Sequence, residues 1–333
     1  MISRAEWLRR KREPITTLGS SSAAAACGLD PYTSALALYH AMRATDPVED
    51  ADPQNDHLYF GNVLEPIVVS EACKRLGLRW LDPNDDAWVI EAEIERDGRS
   101  KVEAWVLDFG RLQPLVSSVE KPWRVSTLDA CAVDRDGRFV IVEAKNQGER
   151  RNVFWDADGA CPDSYRIQCL HQALTVPSAA RVVLAAIVGG NRFRSVDIDL
   201  APETLADLDL IESQFMRNLA AGIEPDADGS VSATRTLRSL HPDDNGLTAT
   251  LPSASCALHA EIVELEDQAK PLRKALADLE YQIGRRTAWL EQRIGSNTFG
   301  LIPNGAGKYS LKTQRTANGG TTRVLRFIAA GRK

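Results

Sequence analysis

"LDACAVDRDGRFVIVEAKNQ", residues 128–147, decides how the chain is read. Val140, Ile141 and Val142 form a short apolar run, and the pair Asp136-Gly137 precedes it. The stretch therefore predicts two antiparallel strands joined by a tight turn. Yet Asp129 falls in the first strand, and Glu143 and Lys145 end the second. Buried charge is costly unless it is paired or holds a metal. Three readings are open: the strand end reaches solvent, Glu143 and Lys145 pair as neighbours, or the acids bind a metal ion. Glu143 and Lys145 are two residues apart, so both face one side of their strand. Thirteen residues, including the turn, separate Asp129 from Glu143, which lets the two strands pair. Phosphodiester cleavage with Mg²⁺ needs hard oxygen ligands at strand ends and gains from a cation near the developing charge. Asp129, Glu143 and Lys145 supply that set, and the carbonyl of Ala144 adds a further oxygen. Taken alone, this spacing is a weak signal.

On either side, the chain alternates helical and strand-like segments. Residues 33–44 predict a helix capped by Thr33 or Ser34. Residues 61–77 predict a second, with Pro66 in its first turn and Gly77 at its end. Strands are expected over 87–94, 102–109, 126–133 and 138–145, with a proline-containing loop between the second and third. Residues 163–175 have helical spacing, 181–190 and 193–200 predict a strand pair, and 202–222 an amphipathic helix. The order implies a mixed α/β core around a central sheet flanked by helices. Residues 224–246 are polar and loop-like. Beyond them, Leu258, Ile262, Leu265, Ala269, Leu272, Leu276, Leu279 and Ile283 alternate steps of four and three, a heptad pattern that Pro271 should kink or split. Its partner is either another part of the chain or a second chain. Residues 308–327 predict a basic β-hairpin turning at Asn318, Gly319 and Gly320. The expected division is a domain over 1–227, a linker over 228–253, and a helical segment with the basic hairpin over 254–333.

The 333 residues are 44% hydrophobic and 26% charged, which is ordinary globular composition. A net charge of −6 gives no global basic field, but charge is uneven. Arg9, Arg10, Lys11 and Arg12 run together, and 296–333 hold seven Lys or Arg and no acid. Such patches can steer a polyanion. Six cysteines without a C-x-x-C pair, and five scattered histidines, read as reduced residues and exclude a zinc framework. Neither a long apolar run nor a signal peptide is evident, so a soluble cytoplasmic protein without a membrane partner is expected.

Asp129 with Glu143-Ala144-Lys145 resembles the PD-(D/E)xK nuclease core. The surroundings are similar to its YqaJ-type viral recombinase (lambda-exonuclease-like) family: "LGSSSAAAACGLDPYTSALALY" (18–39) resembles the family's opening motif, "FGNVLEPIV" (60–68) its G-N-x-x-E-P helix, "YRIQCLHQALTV" (165–176) its Y-x-x-Q motif, and "FMRNLAAGIEPD" (215–226) its closing segment. The match runs in order over about residues 7–227. It departs at Leu128, where the family has proline, and at Ser22, where many members have Asp.

The resemblance implies a restriction-endonuclease-like core and a Mg²⁺-dependent DNA exonuclease of phage-type recombination, with Mn²⁺ able to substitute. Asp129 and Glu143 would be metal ligands with the Ala144 carbonyl, and Glu65 would complete the acidic site. Lys145 would position the attacking water or stabilise the transition state. Gln168 would hydrogen-bond a phosphate or that water, with Tyr165 beside it. Ser21 would bind a phosphate and Arg12 the 5′ end. The basic hairpin, with Lys308, Lys312 and Arg315, lies beyond the resemblance and would contact the DNA backbone. Implied partners are double-stranded DNA ends, a single-strand annealing protein and further copies of the chain, in a phage or prophage protein of a bacterial cytoplasm. The rival functions are a structure-specific or restriction-type endonuclease on the same core, and a catalytically silent DNA-binding scaffold.

Overall fold

The computed structural model describes residues 2–3, 17–44, 56–108, 110–155, 159–315 and 320–330. They fall into two units, Met1–Asp244 and Asn245–Lys333. In the first, strands β1 (Ile2–Ser3) and β2 (Leu18–Gly19) precede helices α1 (Ser20–Ala26) and α2 (Ala35–Arg43). Helix α2 starts as its sequence predicts, with Ser34 Oγ accepting the Ala37 N–H at 3.1 Å. Helix α3 (Asp56–Leu76) begins earlier than its glycine-led motif suggests. Pro66 therefore lies inside the helix, not in its first turn, where its missing N–H leaves one backbone bond unmade. Strand β3 (Arg79–Leu81) leads into α4 (Pro83–Ile94), which replaces the strand expected over 87–94. The start signals decide it. Asp82 caps the Asn84 N–H at 2.9 Å, Pro83 opens the helix, and Asp85 and Asp86 suit its positive end. Ile90 and Ile94, four apart, are both buried.

Strands β4 (Ser100–Asp108), β5 (Arg111–Ser118) and β6 (Arg124–Thr127) form a meander. The proline-containing stretch read as a loop is thus strand β5. Pro114 is tolerated because the β5–β6 ladder ends beside it, at Leu115↔Thr127. The strand expected over 126–133 is two strands, β6 and β7 (Ala130–Val133), broken at Leu128 and Asp129. Leu128 turns its N–H to the Pro114 carbonyl at 3.2 Å. Strand β8 (Phe139–Gln147) pairs antiparallel with β7 from Ala130↔Val142 to Val133↔Phe139, across a turn where Gly137 adopts φ 76°. A 3₁₀ segment (Glu149–Trp155), helix α5 (Asp163–Thr175), the antiparallel strands β9 (Arg181–Val188) and β10 (Arg192–Asp197), and helix α6 (Pro202–Ala221) follow. Gly222, left-handed at φ 72°, closes α6. Part of the stretch read as loop is helix α7 (Val231–Leu240), capped by Ser230 and anchored by buried Ala233.

Two mixed sheets organise this unit, in the orders β1-β4-β5-β6-β2 and β10-β9-β8-β7-β3. Strand β8 sits centrally in the second, antiparallel to β7 and parallel to β9. Alternation divides its residues. Val140, Val142 and Ala144 pack with Val68, Val69, Ala72 and Cys73 of α3. Phe139 and Ile141 belong to the opposite cluster, with Ile167, Leu170 and Ala173 of α5. Helices on both faces explain why the strand is an unbroken apolar run. The same alternation sends Glu143 and Lys145 to the α5 side.

In the second unit, α8 (Ser255–Ile294) is one helix of 40 residues. Pro271 does not split it. Strand β11 (Phe299–Leu301) joins the predicted hairpin, β12 (Gly307–Arg315) with β13 (Thr321–Ala329), in an antiparallel sheet. Of the expected turn residues, Asn318 and Gly319 lie outside the described residues.

Candidate active site

Glu143 is almost fully buried, which removes the reading of a solvated strand end. Its Oε1 pairs with Lys145 Nζ and accepts from Gln168 Nε2 at 2.5 Å. Its Oε2 accepts from Gln172 Nε2 at 2.5 Å. Gln168 and Gln172 are one turn apart on α5, so one helix face delivers both amides to one carboxylate. The Gln168 amide N–H thus donates to Glu143, a second candidate site residue.

Asp129 sits just before β7, at the strand break. Its Oδ2 accepts the Ala144 N–H at 2.9 Å, which ties the two halves of the hairpin together at the acidic end. Glu65 comes from α3. Arg111 Nη2 lies 2.6 Å from its Oε1 and donates to the Asp129 carbonyl at 3.0 Å. Gln113 Nε2 adds a bond to Glu65 at 3.0 Å. Strand β5 therefore holds Glu65 and the Asp129 backbone in one place.

The electrostatics show that the acids share a field. Burial raises the Asp129 carboxyl well above the usual carboxylate range, and Glu143 and Glu65 raise it further. Burial also raises Glu65, against the lowering effect of Arg111. For Lys145, burial would lower the pKa, but Glu143 and Asp129 outweigh it and the amine is held firmly protonated. Tyr165 lies beneath it, with Nζ 5.2 Å from the ring centroid.

The donor set suits a hard divalent cation: three carboxylates, the Ala144 carbonyl, and the buried Gln172 Oε1, which has no hydrogen-bond partner among the described residues. Among the described residues, no group of three His, Cys, Asp or Glu is gathered tightly enough to hold a metal alone. Mg²⁺ does not require one, since it binds through one or two carboxylates with water and phosphate oxygens.

Ser21 is exposed in the first turn of α1. Arg12 lies outside the described residues. In the second unit, Lys308 and Lys312 stand 4.6 and 5.6 Å from the Phe299 ring centroid. They share a face of β12, and strand alternation puts Arg315 on the other. Sequence reading missed Gln172, Arg111 and Gln113. The four-residue step from Gln168 to Gln172 was a visible signal. Arg111 and Gln113 were hidden by the loop reading of β5.

Raised acids carry a stability cost that appears as pH rises through their folded-state pKa and is absent below the ordinary carboxylate range. Asp129→Asn keeps an oxygen for the Ala144 N–H and removes the charge. It should raise Tm at neutral pH by about 2–4 °C, the shift expected for ~1 kcal/mol in a unit of this size. The gain over wild type should vanish on acidification, as calorimetry at several pH values would show. Cleavage should be lost at the same time.

The YqaJ-like viral recombinase domain model matches residues 6–176. The uncharacterized protein YqaJ of Bacillus subtilis (strain 168) is 24% identical over 285 residues, 85% of this chain and 77% of that protein. Structures of the alkaline exonuclease LHK-Exo from Laribacter hongkongensis, alone and with dAMP, align at a TM-score of 0.46 and 14% identity over 71% of this chain and 99% of theirs. No helix among the described residues is long and apolar enough to cross a membrane. Because the matched segment spans just over half of the sequence and carries Glu65, Asp129, Glu143, Lys145 and Gln168, the chain belongs to the YqaJ-like viral recombinase domain family.

Proposed function

We propose that this chain is a divalent-metal-dependent DNA nuclease of phage-type recombination. It hydrolyses phosphodiesters of linear duplex DNA from the 5′ end and leaves a 3′ single strand for an annealing protein. One observation carries the reading: Asp129, Glu143 and Glu65 come from separate parts of the chain to lie beside Lys145, although burial and, after it, the charge of neighbouring acids raise Asp129 and Glu65. A fold tolerates such a cluster where function needs it.

Asp129, Glu143, the Ala144 carbonyl and Glu65 would hold Mg²⁺, which when bound polarises a phosphate and lowers the pKa of water. Gln168 and Gln172 fix the Glu143 carboxylate so that its oxygens do not wander. Arg111 fixes Glu65 and the Asp129 backbone. Protonated Lys145 would position the attacking water or stabilise an oxygen gaining negative charge. Ser21 and Arg12 would contact phosphates near the scissile bond, and Lys308, Lys312 and Arg315 the backbone further along.

The test is incubation with linear and closed-circular duplex DNA in Mg²⁺, with and without a chelator. Linear DNA alone should be degraded, the chelator should stop it, and Mn²⁺ should restore it. A 5′ end label should be released before a 3′ label. Degradation of closed circles would favour the endonuclease reading. DNA binding without metal-dependent cleavage would favour the silent scaffold.

Lys145→Ala separates chemistry from binding. Turnover should fall by about 10²-fold, as for other preorganised electrostatic groups, with DNA affinity nearly unchanged. If affinity collapses and bound DNA turns over normally, Lys145 is a phosphate anchor only.

A further inference from the structure

The 3₁₀ segment Glu149–Trp155 leaves β8 just beyond Lys145 and carries an exposed ring that the proposed chemistry does not use. The segment is pinned at both ends. Trp155 is buried, and its Nε1 donates to Gln147 Oε1 at 2.8 Å. The Arg151 N–H donates to the Gly148 carbonyl at 3.0 Å. Phe154, next to the tryptophan anchor, nevertheless stays 44% exposed. A second ring comes from the turn after α1, where Tyr32 is 70% exposed. That turn is fixed as well, because Asp30 Oδ1 accepts the N–H groups of Tyr32 and Thr33 at 2.8 and 2.7 Å. The Arg151 guanidinium joins the two rings, with Cζ 5.4 Å from the Tyr32 centroid and 5.5 Å from that of Phe154. All of these residues belong to the first unit, and no described part of that unit covers the rings. Both are carried by elements that also build the acidic site. The 3₁₀ segment continues β8, and α1 shares a hydrophobic cluster with α5 through Ala23, Ala24, Ile167 and Leu170.

We propose that Tyr32 and Phe154 form a stacking surface for unpaired DNA bases, beside the strand end that carries Glu143 and Lys145. Arg151 holds the two rings together, and Arg150 meets the phosphates. The proposal rests on the nuclease reading for the source of the strand.

Three features select this ligand. The first is shape. An aromatic ring stacks on any base whose face is free, and in an intact duplex the faces are covered by neighbouring pairs, so the fit is to an unpaired stretch. The second is charge. Glu149, the acid of the 3₁₀ segment, is paired with Arg192, which leaves Arg150 and Arg151 without an acidic partner among the described residues. Two cations beside two rings suit a polyanion with π faces, whereas an apolar protein surface would bury those cations uncompensated. The third is rigidity. Both rings sit on backbone that is already fixed, so little order is lost when a base stacks on them.

The test measures binding of labelled oligothymidylate to the full chain by fluorescence anisotropy, with a chelator present so that no strand is cut. A strand of equal length with abasic sugars controls for phosphate contacts. Wild type should bind the thymidylate strand about 10²-fold more tightly than the abasic one, as two stacked bases imply. Tyr32→Ala and Phe154→Leu should each weaken thymidylate binding by about tenfold and leave abasic binding unchanged. Tyr32→Phe, which keeps the ring, should bind as wild type does. Both rings are exposed, so every variant should keep the wild-type circular dichroism spectrum and melting behaviour. Equal binding of the two strands by wild type overturns the inference. So does wild-type affinity in Phe154→Leu, which marks a merely apolar contact, or a loss that is the same for both strands. The same preparations, assayed on linear duplex in Mg²⁺, keep the two readings apart. A wild type that cleaves duplex but ignores the bases overturns the stacking surface and leaves the nuclease reading standing. Ring-dependent binding by a wild type that does not cleave supports the stacking surface and overturns the nuclease reading.

Discussion

Glu143→Ala is expected to reduce metal-dependent cleavage of linear duplex DNA by about 10³-fold or more, at or beyond the loss seen when one preorganised electrostatic group is removed. Glu143 is both a candidate ligand and the acceptor for Lys145, Gln168 and Gln172. Its removal relieves Asp129 and Glu65 of a neighbouring charge, which favours the fold. It also leaves the buried Gln172 amide without an acceptor, at a cost of roughly 1–3 kcal/mol. The net change in Tm should therefore be a modest decrease. Glu143→Gln, which keeps an acceptor oxygen, should be equally inactive and closer to wild type in Tm. A folded Glu143→Ala protein that cleaves at near-normal rates in Mg²⁺ would remove Glu143 from the chemistry.

The largest effect on stability is expected away from the acids, behind α5. Glu212 of α6 is fully buried and accepts from His171 Nδ1 at 2.7 Å and Arg124 Nε at 2.9 Å. Arg124, itself buried, also reaches Asp209 at 2.7 Å, and Lys121 reaches the same acid at 2.6 Å. Burial alone would raise the Glu212 carboxyl, but His171 and Arg124 more than offset it and hold it below the usual range. Glu212→Ala takes the acceptor from buried His171 Nδ1 and leaves buried Arg124 with Asp209 as its remaining carboxylate, and breaking a buried ion pair from one side typically costs about 3–5 kcal/mol. Tm should fall by about 10 °C. A depressed carboxyl contributes stability that is present above its unfolded-state pKa and is lost as pH falls through its folded-state pKa. The gap between wild type and variant should thus be widest near neutrality and close in acid, as melts at several pH values would show. Glu212→Gln should lose less, since it still offers an acceptor. Because His171 lies between Gln168 and Gln172 on α5, loosening this network should also lower cleavage. A Glu212→Ala protein with unchanged Tm would show the network to be incidental.

Local signals were legible in the sequence because neighbouring residues settle them. Ser34 caps α2, Gly222 closes α6, and Asp136-Gly137 turns β7 into β8, each through bonds made within a few residues. The two-residue step from Glu143 to Lys145 fixed their common face, since strand alternation needs no tertiary information. The motifs around Glu65, Asp129 and Gln168 single out candidate site residues without reference to any geometry. Tertiary structure decided what those residues touch. Gln172 joins Glu143 only because α5 lies across β8, and Arg111 reaches Glu65 only because β5 is a strand. Pro114 made β5 look like a loop, and only the end of the β6 ladder beside it makes proline harmless there. Residues 87–94 carry apolar positions compatible with either period, and the helix followed from Asp82 and Pro83 together with burial of Ile90 and Ile94. The buried ion network is the clearest case of long-range choice. Arg124, His171 and Glu212 lie on three elements far apart in sequence, and a charge can be buried there only because folding supplies its partners.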